Sequence, residues 1–305
     1  MSGLRPNGPS ADLQATSRGE DGSGARRPES AAVPEDREQQ TERVEIELLL
    51  EGIFRIYGYD FRHYALGSIC RRAKVRMQAE GLPTLSALQA LVLRDAGAMR
   101  RLLQDFSIPV TEMFRDPAYF LALRERVLPE LASLPSFRIW HAGCSTGEEA
   151  YSMAIMLREE GLEGRATIYA TDMNERLLET ARGGRYPIAR MKQYTSNYLR
   201  AGGRQPFSEY YSVSGDEACF DPTLRKHIVF ARHNLATDHS FNEFQLILCR
   251  NVLIYFNPAL QKRVLRLFRD SLPSGGILGL GVKEAVLNTL EWSELDQSLR
   301  LYRAL

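Results

Sequence analysis

Two glycines lie close together in one short stretch of the sequence, HAGCSTGEEAYS at residues 141–152. Gly143 and Gly147 stand between an apolar run, which predicts a buried strand, and a helix-like segment. A glycine-rich turn in this position lets the backbone approach a nucleotide closely at the carboxyl end of the strand. Turns of this kind bind many different nucleotides, so the residues beside the glycines must decide between them.

Glu148 and Glu149 follow directly, at the predicted N-terminus of the helix. A helix N-terminus favours anions, and in dinucleotide-binding proteins it holds a pyrophosphate. Two carboxylates there would repel a phosphate by about 1–4 kcal/mol. The pattern therefore favours a nucleotide that is cationic and has no phosphate, and S-adenosylmethionine fits this description. The alternative is that the two glutamates only stabilise the helix end.

A third acidic residue, Asp172, follows the second predicted strand in YATDMN. A carboxylate at this position can hold the hydroxyls of a ribose through its two acceptor oxygens. Asp172 together with the glutamates makes nucleoside binding the favoured interpretation of this end of the sheet.

Short β-rich runs alternate with longer helical segments after residue 134. The runs that predict buried strands are FRIWHA (137–142), ATIYAT (166–171), HIVFAR (227–232), FQLILC (244–249) and GILGLG (276–281). A helical pattern over residues 147–164 separates the first two runs. Strand, helix and strand at this spacing predict an α/β fold with a doubly wound, parallel sheet. Residues 185–226 interrupt the rhythm with Tyr, Gly and Pro, which predicts an inserted subdomain.

Apolar residues recur at three- and four-residue spacing over residues 42–126, which predicts a small all-helical domain. One of its helices, SICRRAKVRMQ, carries a cluster of positive charges. These are Arg71, Arg72, Lys74 and Arg76. The cluster is either a docking surface for an acidic partner or an ordinary solvated helix face.

The overall composition is that of an ordinary soluble protein. The chain has 305 residues, 44% of them hydrophobic, and a formal net charge of +1, which argues against a general attraction to nucleic acid or membranes. Residues 1–41 are rich in Gly, Pro, Ser and mixed charge, which predicts a disordered tail. Without an apolar run of about 18 residues or a secretory signal, we expect a cytoplasmic monomer without membrane insertion.

The four cysteines are widely spaced and form no CxxC pair, which favours reduced core thiols over disulfides or a metal site. We therefore expect no metal ion in the site.

Five longer motifs occur in an order that resembles the CheR family, the chemotaxis-type protein-glutamate O-methyltransferases. The motifs are TEMFRDP (111–117), IWHAGCSTGEEAYSMA (139–154), ATDMNERLLETAR (170–182), HNL (233–235) and CRNVLIYF (249–256). The resemblance implies a Rossmann-like class I methyltransferase fold over residues 127–305, preceded by the all-helical domain. It also implies methyl transfer from S-adenosylmethionine to glutamate carboxylates of a chemoreceptor or related signalling protein, with S-adenosylhomocysteine as the product.

The resemblance further implies roles for individual residues. The implied cofactor contacts are Thr111, Arg115, Gly143, Glu149, Asp172, Met173, Asn234, Leu235, Arg250 and Asn251. Tyr255 would lie near the transferred methyl group, and Arg115 and Tyr255 are the predicted catalytic residues. The basic helix would bind acidic helices of methyl-accepting receptors. Alternatively, the two asparagines cap turns, and Tyr255 is a core residue.

Two residues depart from the family's pattern. Pro109 stands where an asparagine is usual, and because proline offers neither a side-chain amide nor a backbone N–H, we expect weaker cofactor binding. Lys283 replaces the more usual serine before a glutamate in GLGVKEA.

Three other functions remain open at this point. The first is an interaction protein that senses S-adenosylmethionine without transferring its methyl group. The second is a nucleic-acid or small-molecule methyltransferase built on the same sheet, and the near-neutral charge counts against nucleic acid. The third is a flavin or nicotinamide oxidoreductase, which the glutamates after Gly147 disfavour.

Overall fold

The structure, a computed structural model, describes residues 37–106, 111–286 and 290–305. Pro109 and residues 1–36 of the predicted tail therefore lie outside the described residues. Within the described ranges, no helix has the length and apolar character needed to span a bilayer.

An all-helical domain occupies residues 37–106. Its helices are α1 (Arg37–Tyr57), α2 (Leu66–Ala79), α3 (Leu85–Val92) and α4 (Ala96–Phe106). Their apolar sides meet around Leu49, Ile53, Leu88 and Leu102, all of which are fully buried. The three- and four-residue spacing in the sequence arises from this packing, and the predicted helical domain is confirmed.

Helix α1 includes residues 37–41, which the sequence analysis placed in the predicted tail. Residues 37–41 are Arg, Glu, Gln, Gln and Thr, and all but the threonine are good helix formers. Extending an existing helix costs far less than starting one. Polar residues can therefore continue a helix whose later turns are anchored by Ile46 and Leu49.

The second part of the chain alternates strands with helices. The first elements are α5 (Pro117–Ala122), α6 (Leu128–Leu131), β1 (Phe137–Ala142), α7 (Glu148–Glu159), β2 (Ala166–Asp172) and α8 (Glu175–Gly183). Next come β3 (Arg185–Pro187), α9 (Met191–Arg200), β4 (Tyr211–Ser214) and β5 (Glu217–Phe220). The last elements are β6 (Ile228–Arg232), β7 (Leu246–Cys249), α10 (Pro258–Asp270), β8 (Ile277–Leu280), β9 (Trp292–Asp296) and β10 (Leu301–Ala304).

The described residues form a seven-stranded sheet in the order β6-β2-β1-β7-β8-β10-β9. The first five strands in this order pair in parallel, and β10 runs antiparallel to β8 and β9. The predicted α/β fold is confirmed. The chain proceeds from β1 to one side through β2 and β6 and returns to the other side through β7. A crevice for ligands therefore opens between the carboxyl ends of β1 and β7.

Strand β1 shows why the sheet carries helices on both faces. Ile139 points into the buried cluster that contains the apolar side of α7. Trp140, the next residue, points into the cluster that contains α10. Because successive residues of a strand face opposite sides, a strand that is buried on both faces appears in the sequence as a continuous apolar run.

Strands β9 and β10 were not among the predicted strands. Of the five residues of β9, only Trp292 is buried, because this strand forms an edge of the sheet. The run WSELD therefore has no apolar stretch that would indicate a buried strand.

Residues 113–131 pack against the sheet. Met113, Phe114, Tyr119 and Phe120 are buried in the same cluster as Ile139. The backbone N–H of Phe114 also donates to Ser152 Oγ on α7, at 2.8 Å. In the described residues the helices that pack around Leu49 and Leu102 end with α4, before the predicted boundary at residue 126. An apolar helix side does not tell which neighbour it faces.

The predicted insertion contains a small antiparallel sheet in the order β3-β5-β4 and helix α9. It is fastened to α7 through the buried carboxylate of Glu159. This group accepts hydrogen bonds from the hydroxyls of Tyr198 and Tyr210 in the insertion. It also pairs with Arg124, whose Nη2 lies 2.5 Å from Glu159 Oε2. A buried pair of this kind depends on both of its members.

Replacing Arg124 with methionine should lower the free energy of unfolding by about 3–5 kcal/mol, because Glu159 would keep a buried charge without its cation. Urea denaturation measures the change. The matched control is Arg185→Met, which breaks the exposed pair with Glu217 at 3.2 Å and should change stability little. Equal losses in both variants would contradict the assignment.

Candidate active site

A pocket opens at the carboxyl edge of the central sheet, beside the ends of β1, β2 and β7. All of the predicted cofactor and catalytic residues line it. They are Thr111, Arg115, Gly143, Glu149, Asp172, Met173, Asn234, Leu235, Arg250, Asn251 and Tyr255. These residues come from five separate motifs, and the fold brings them to one place. Their individual roles remain predictions.

The turn after β1 can be formed only with a glycine at its start. Gly143 has a φ of 78°, and a Cβ there would lie 2.6 Å from Val252 Cγ2. Its N–H and that of Cys144 both donate to the carbonyl oxygen of Thr171, at 2.8 Å. The backbone thus turns tightly across the end of β2 and leaves the space above it open to a ligand.

Glu149 is the acidic residue of this turn that lines the pocket. Its Oε1 lies 2.9 Å from His141 Nδ1, and its Oε2 accepts a hydrogen bond from Arg250 Nη1 at 2.9 Å. Burial acts to raise the pKa of Glu149, but the hydrogen bond from His141 and the charge of Arg250 outweigh it and lower the pKa to about 2. Glu149 is therefore ionised at neutral pH.

Glu148 does not line the pocket, although the sequence groups it with Glu149. Its side chain is 1% exposed and turns toward the insertion, where it accepts from Tyr194 at 3.3 Å and lies 3.6 Å from Arg190. Burial raises the pKa of Glu148. Successive helix residues point about 100° apart, so the two glutamates face different neighbours. The predicted repulsion of a phosphate by both glutamates must therefore be restricted to Glu149.

Asp172 joins the turns that follow β1 and β2. Its Oδ2 accepts from the backbone N–H of Ser145 at 3.0 Å, and its Oδ1 accepts from that of Asn174 at 2.9 Å. Burial raises the pKa of Asp172, and these hydrogen bonds oppose that shift. Each carboxylate oxygen can accept a second hydrogen bond, so Asp172 can also bind hydroxyl groups in the pocket.

Arg250 connects the TEMFRDP segment to the sheet. Its side chain is almost completely buried and pairs with Asp116 at 2.5 Å as well as with Glu149. The guanidinium also lies over the ring of Tyr119, 4.1 Å from the ring centroid. Asp116 was not among the predicted site residues. It does not line the pocket, and its carboxylate pairs with Arg250, which does.

Glu284 holds the loop that carries Arg250, Asn251 and Tyr255. It is 4% exposed, and its Oε2 accepts from the N–H groups of Gly281 at 2.6 Å and Asn251 at 2.9 Å. Its Oε1 accepts from Ile254 N at 3.3 Å. These bonds stabilise the left-handed φ of 61° at Asn251. They account for the glutamate of GLGVKEA, whereas the neighbouring Lys283 is exposed.

Asn234 caps a turn and also lines the pocket. Its Oδ1 accepts from the N–H of Ala236 at 3.0 Å, which is the turn-capping interaction expected of an asparagine after a strand.

The helical domain covers the pocket with aromatic side chains that the sequence analysis did not assign. Phe61, Tyr64 and Phe106 all line it. Main-chain hydrogen bonds join this cover to the loop that carries Tyr255, since Ala65 N donates to Tyr255 O at 2.8 Å and Asn257 N donates to His63 O at 2.9 Å. The aromatic-rich segment GYDFRHY (58–64) contains the first two of these residues and was the available signal.

The four predicted docking cations do not form one exposed face. Arg72 is buried, with its guanidinium 4.9 Å from the centroid of the Tyr255 ring and its Nη1 donating to Phe106 O at 2.5 Å. Lys74 pairs with Glu42 at 2.7 Å, and Arg76 pairs with Asp105 at 2.6 Å. Arg71 is exposed. Arg72 is therefore not available to a partner, whereas Arg71 and Lys74 are both exposed and, being three residues apart, lie on the same side of the helix.

Replacing Glu284 with alanine should weaken the binding of S-adenosylhomocysteine about tenfold and lower the free energy of unfolding by about 2–3 kcal/mol, because buried N–H groups lose their acceptor. Calorimetric titration and urea denaturation measure the two effects. Lys283→Ala, at the exposed neighbouring position, is the control and should change neither quantity. Unchanged affinity in the Glu284 variant would show that the loop does not depend on it.

Two family models match the chain in sequence. The model described as "CheR methyltransferase, all-alpha domain" matches residues 44–107, and the one described as "CheR methyltransferase, SAM binding domain" matches residues 109–300. The two matches meet near residue 108, in agreement with the packing of residues 113–131 against the sheet.

Several curated proteins are similar to the chain. A "Putative methyltransferase Cher3" from Pseudomonas putida is 53% identical over 80% of the chain and 89% of its own length. A "Chemotaxis protein methyltransferase" from Listeria innocua is 34% identical over 65% of the chain and 74% of its own length. "Chemotaxis protein methyltransferase 1" from Pseudomonas aeruginosa is 29% identical over 80% and 93%. The chain therefore belongs to the CheR methyltransferase family, and it is a methyltransferase that uses S-adenosylmethionine.

Proposed function

We propose that this methyltransferase transfers methyl groups to glutamate side-chain carboxylates of a chemoreceptor or related signalling protein and so forms glutamate methyl esters. The observation that carries the proposal is the convergence of Arg115 and Tyr255 on the pocket that the predicted cofactor residues line. Relatives named chemotaxis protein methyltransferases support the choice of substrate class.

The side chains of the pocket fit S-adenosylmethionine. Glu149 would bind its ammonium group, Asp172 its ribose hydroxyls, and Leu235 the apolar face of its adenine. The Glu149 carboxylate is ionised and partly shielded from water, where an ionic contact is stronger than at the surface. When bound, the cofactor supplies a methyl group whose bond to sulfur breaks as a carboxylate oxygen of the substrate forms the new ester bond.

The reaction needs no general base. A glutamate side chain has an unperturbed pKa of about 4.3 and is already ionised at neutral pH, so no proton has to be removed. His233 lines the pocket, and its Nε2 lies 3.1 Å from the carbonyl oxygen of His239, but a base has no proton to remove in a transfer to an ionised carboxylate. The protein's contribution is therefore alignment of the reacting atoms, which can be worth about 7–11 kcal/mol.

Arg115 would steer the substrate carboxylate, and Tyr255 would orient it. Tyr255 is held from two sides, by the hydrogen bond from Ala65 N to its carbonyl oxygen and by the guanidinium of Arg72 over its ring. Arg115 should contact the carboxylate without pairing tightly, because a strong ion pair would stabilise the ground state and slow the transfer.

The partner surface would include the exposed side of α2. Arg71 is exposed there, whereas Lys74 and Arg76 already pair with acidic residues of the same domain. An acidic receptor helix that lies along this side would approach the pocket next to the aromatic cover. Methylation of its glutamates removes negative charge, so each transfer also changes the electrostatic match between the two surfaces.

Incubation with cofactor that is radiolabelled in the methyl group and with receptor cytoplasmic fragments tests the proposal. We expect base-labile label on the receptor fragment, because methyl esters hydrolyse in alkali. A fragment with glutamine at the acceptor positions should stay unlabelled and serves as the control. If the chain binds S-adenosylhomocysteine but labels none of the fragments, the cofactor-sensing alternative is favoured.

Arg71→Glu should raise KM for the receptor about three- to tenfold, because repulsion replaces attraction at an exposed contact. Its affinity for S-adenosylhomocysteine should not change, since Arg71 does not line the pocket. Arg94→Glu, at an exposed position outside α2, is the charge-matched control. The same rise in KM in both variants would indicate a general charge effect and refute a docking role for α2.

A further inference from the structure

His141 lies on β1, directly behind the cofactor pocket, and does not itself line the pocket. Its side chain is 1% exposed, and its Nδ1 is 2.9 Å from Glu149 Oε1. Within the described residues, its Nε2 is buried and has no hydrogen-bond partner. The histidine thus makes one polar side-chain contact, and that contact is with the carboxylate expected to bind the cofactor.

The partners of the imidazole determine where its proton lies. Glu149 is ionised and can only accept, so Nδ1 must carry the hydrogen and donate it. Nε2 has no partner among the described residues, so the hydrogen bond through Nδ1 is the polar contact that holds the ring in place.

The hydrogen bond from Nδ1 orients the Glu149 carboxylate. Of the groups in this network, Arg250 is positive, while Glu149 and Asp116 are negative and both pair with Arg250. These three side chains together carry a net charge of about −1 and can attract a cation. The arrangement therefore suits a carboxylate that must be fixed in direction and still receive an ammonium group.

We propose that His141 is a positioning residue for the cofactor, and that its Nδ1–H fixes the Glu149 carboxylate in the direction of the cofactor's ammonium group. The inference deepens the proposed function, since it rests on the role given there to Glu149. It does not depend on which protein is methylated, because its readout is cofactor binding.

Three substitutions at this position separate hydrogen bonding from packing. Asparagine places its amide nitrogen near the position of Nδ1, glutamine places it near that of Nε2, and leucine provides no donor. Calorimetric titration with S-adenosylhomocysteine should give an affinity for His141→Asn within about threefold of the parent. His141→Gln and His141→Leu should bind about ten- to a hundredfold more weakly, as expected for a lost hydrogen bond to a charged group.

Urea denaturation of each variant shows that binding is measured on folded protein. If the leucine variant does not fold, the asparagine and glutamine variants carry the test, since both bury an amide. Equal affinity of these two variants would overturn the inference. Glu149→Gln, measured in the same way, separates the role of Glu149 from the role of His141. Parent-like affinity in that variant would overturn the role of Glu149 and the inference together. Weakened affinity there, with parent-like affinity in all three His141 variants, would overturn the inference alone.

Discussion

The buried ion pair between Glu149 and Arg250 joins the parts of the chain that form the site. Glu149 begins α7, Arg250 follows β7, and Asp116, which pairs with the same guanidinium, precedes α5. Loss of Arg250 would leave Glu149 and Asp116 without their shared cation, and loss of Glu149 would leave the buried guanidinium with Asp116 alone, so either change weakens the connection between the three segments. The charges that would bind the cofactor therefore also hold the crevice together. A substitution at one of these residues should affect cofactor binding and stability together.

The helical domain completes the cofactor pocket. Its aromatic side chains cover the pocket, and its main chain is hydrogen-bonded to the loop that carries Tyr255. Arg72, which the sequence suggests as a surface charge, is part of this interface. A protein substrate would thus contact, on one surface, both the groups that bind it and the groups that hold Tyr255 in position.

The sequence predicted most of the sheet and the composition of the pocket, for identifiable physical reasons. Strands such as β7 are buried on both faces and appear as apolar runs, and site residues collect at the ends of such strands. Strand β9 was missed because an exposed edge leaves no such run. The different surroundings of Glu148 and Glu149, and the burial of Arg72, depend on how neighbouring elements pack. Residue type and spacing do not contain that information.

The contact of Glu148 with the insertion has a consequence for how this region can diverge. A carboxylate next to the glycine turn is buried against Tyr194 and near Arg190, both supplied by a segment some forty residues later in the chain. The hydroxyl of Tyr186, also in the insertion, donates to the carbonyl oxygen of Thr146 in the same turn, at 2.8 Å. The insertion therefore acts as a structural wall of the nucleotide turn. Substitutions in the glycine turn and in the facing residues of the insertion are therefore expected to arise in pairs. A chimera that exchanges only one of these two segments would lose the contacts between them.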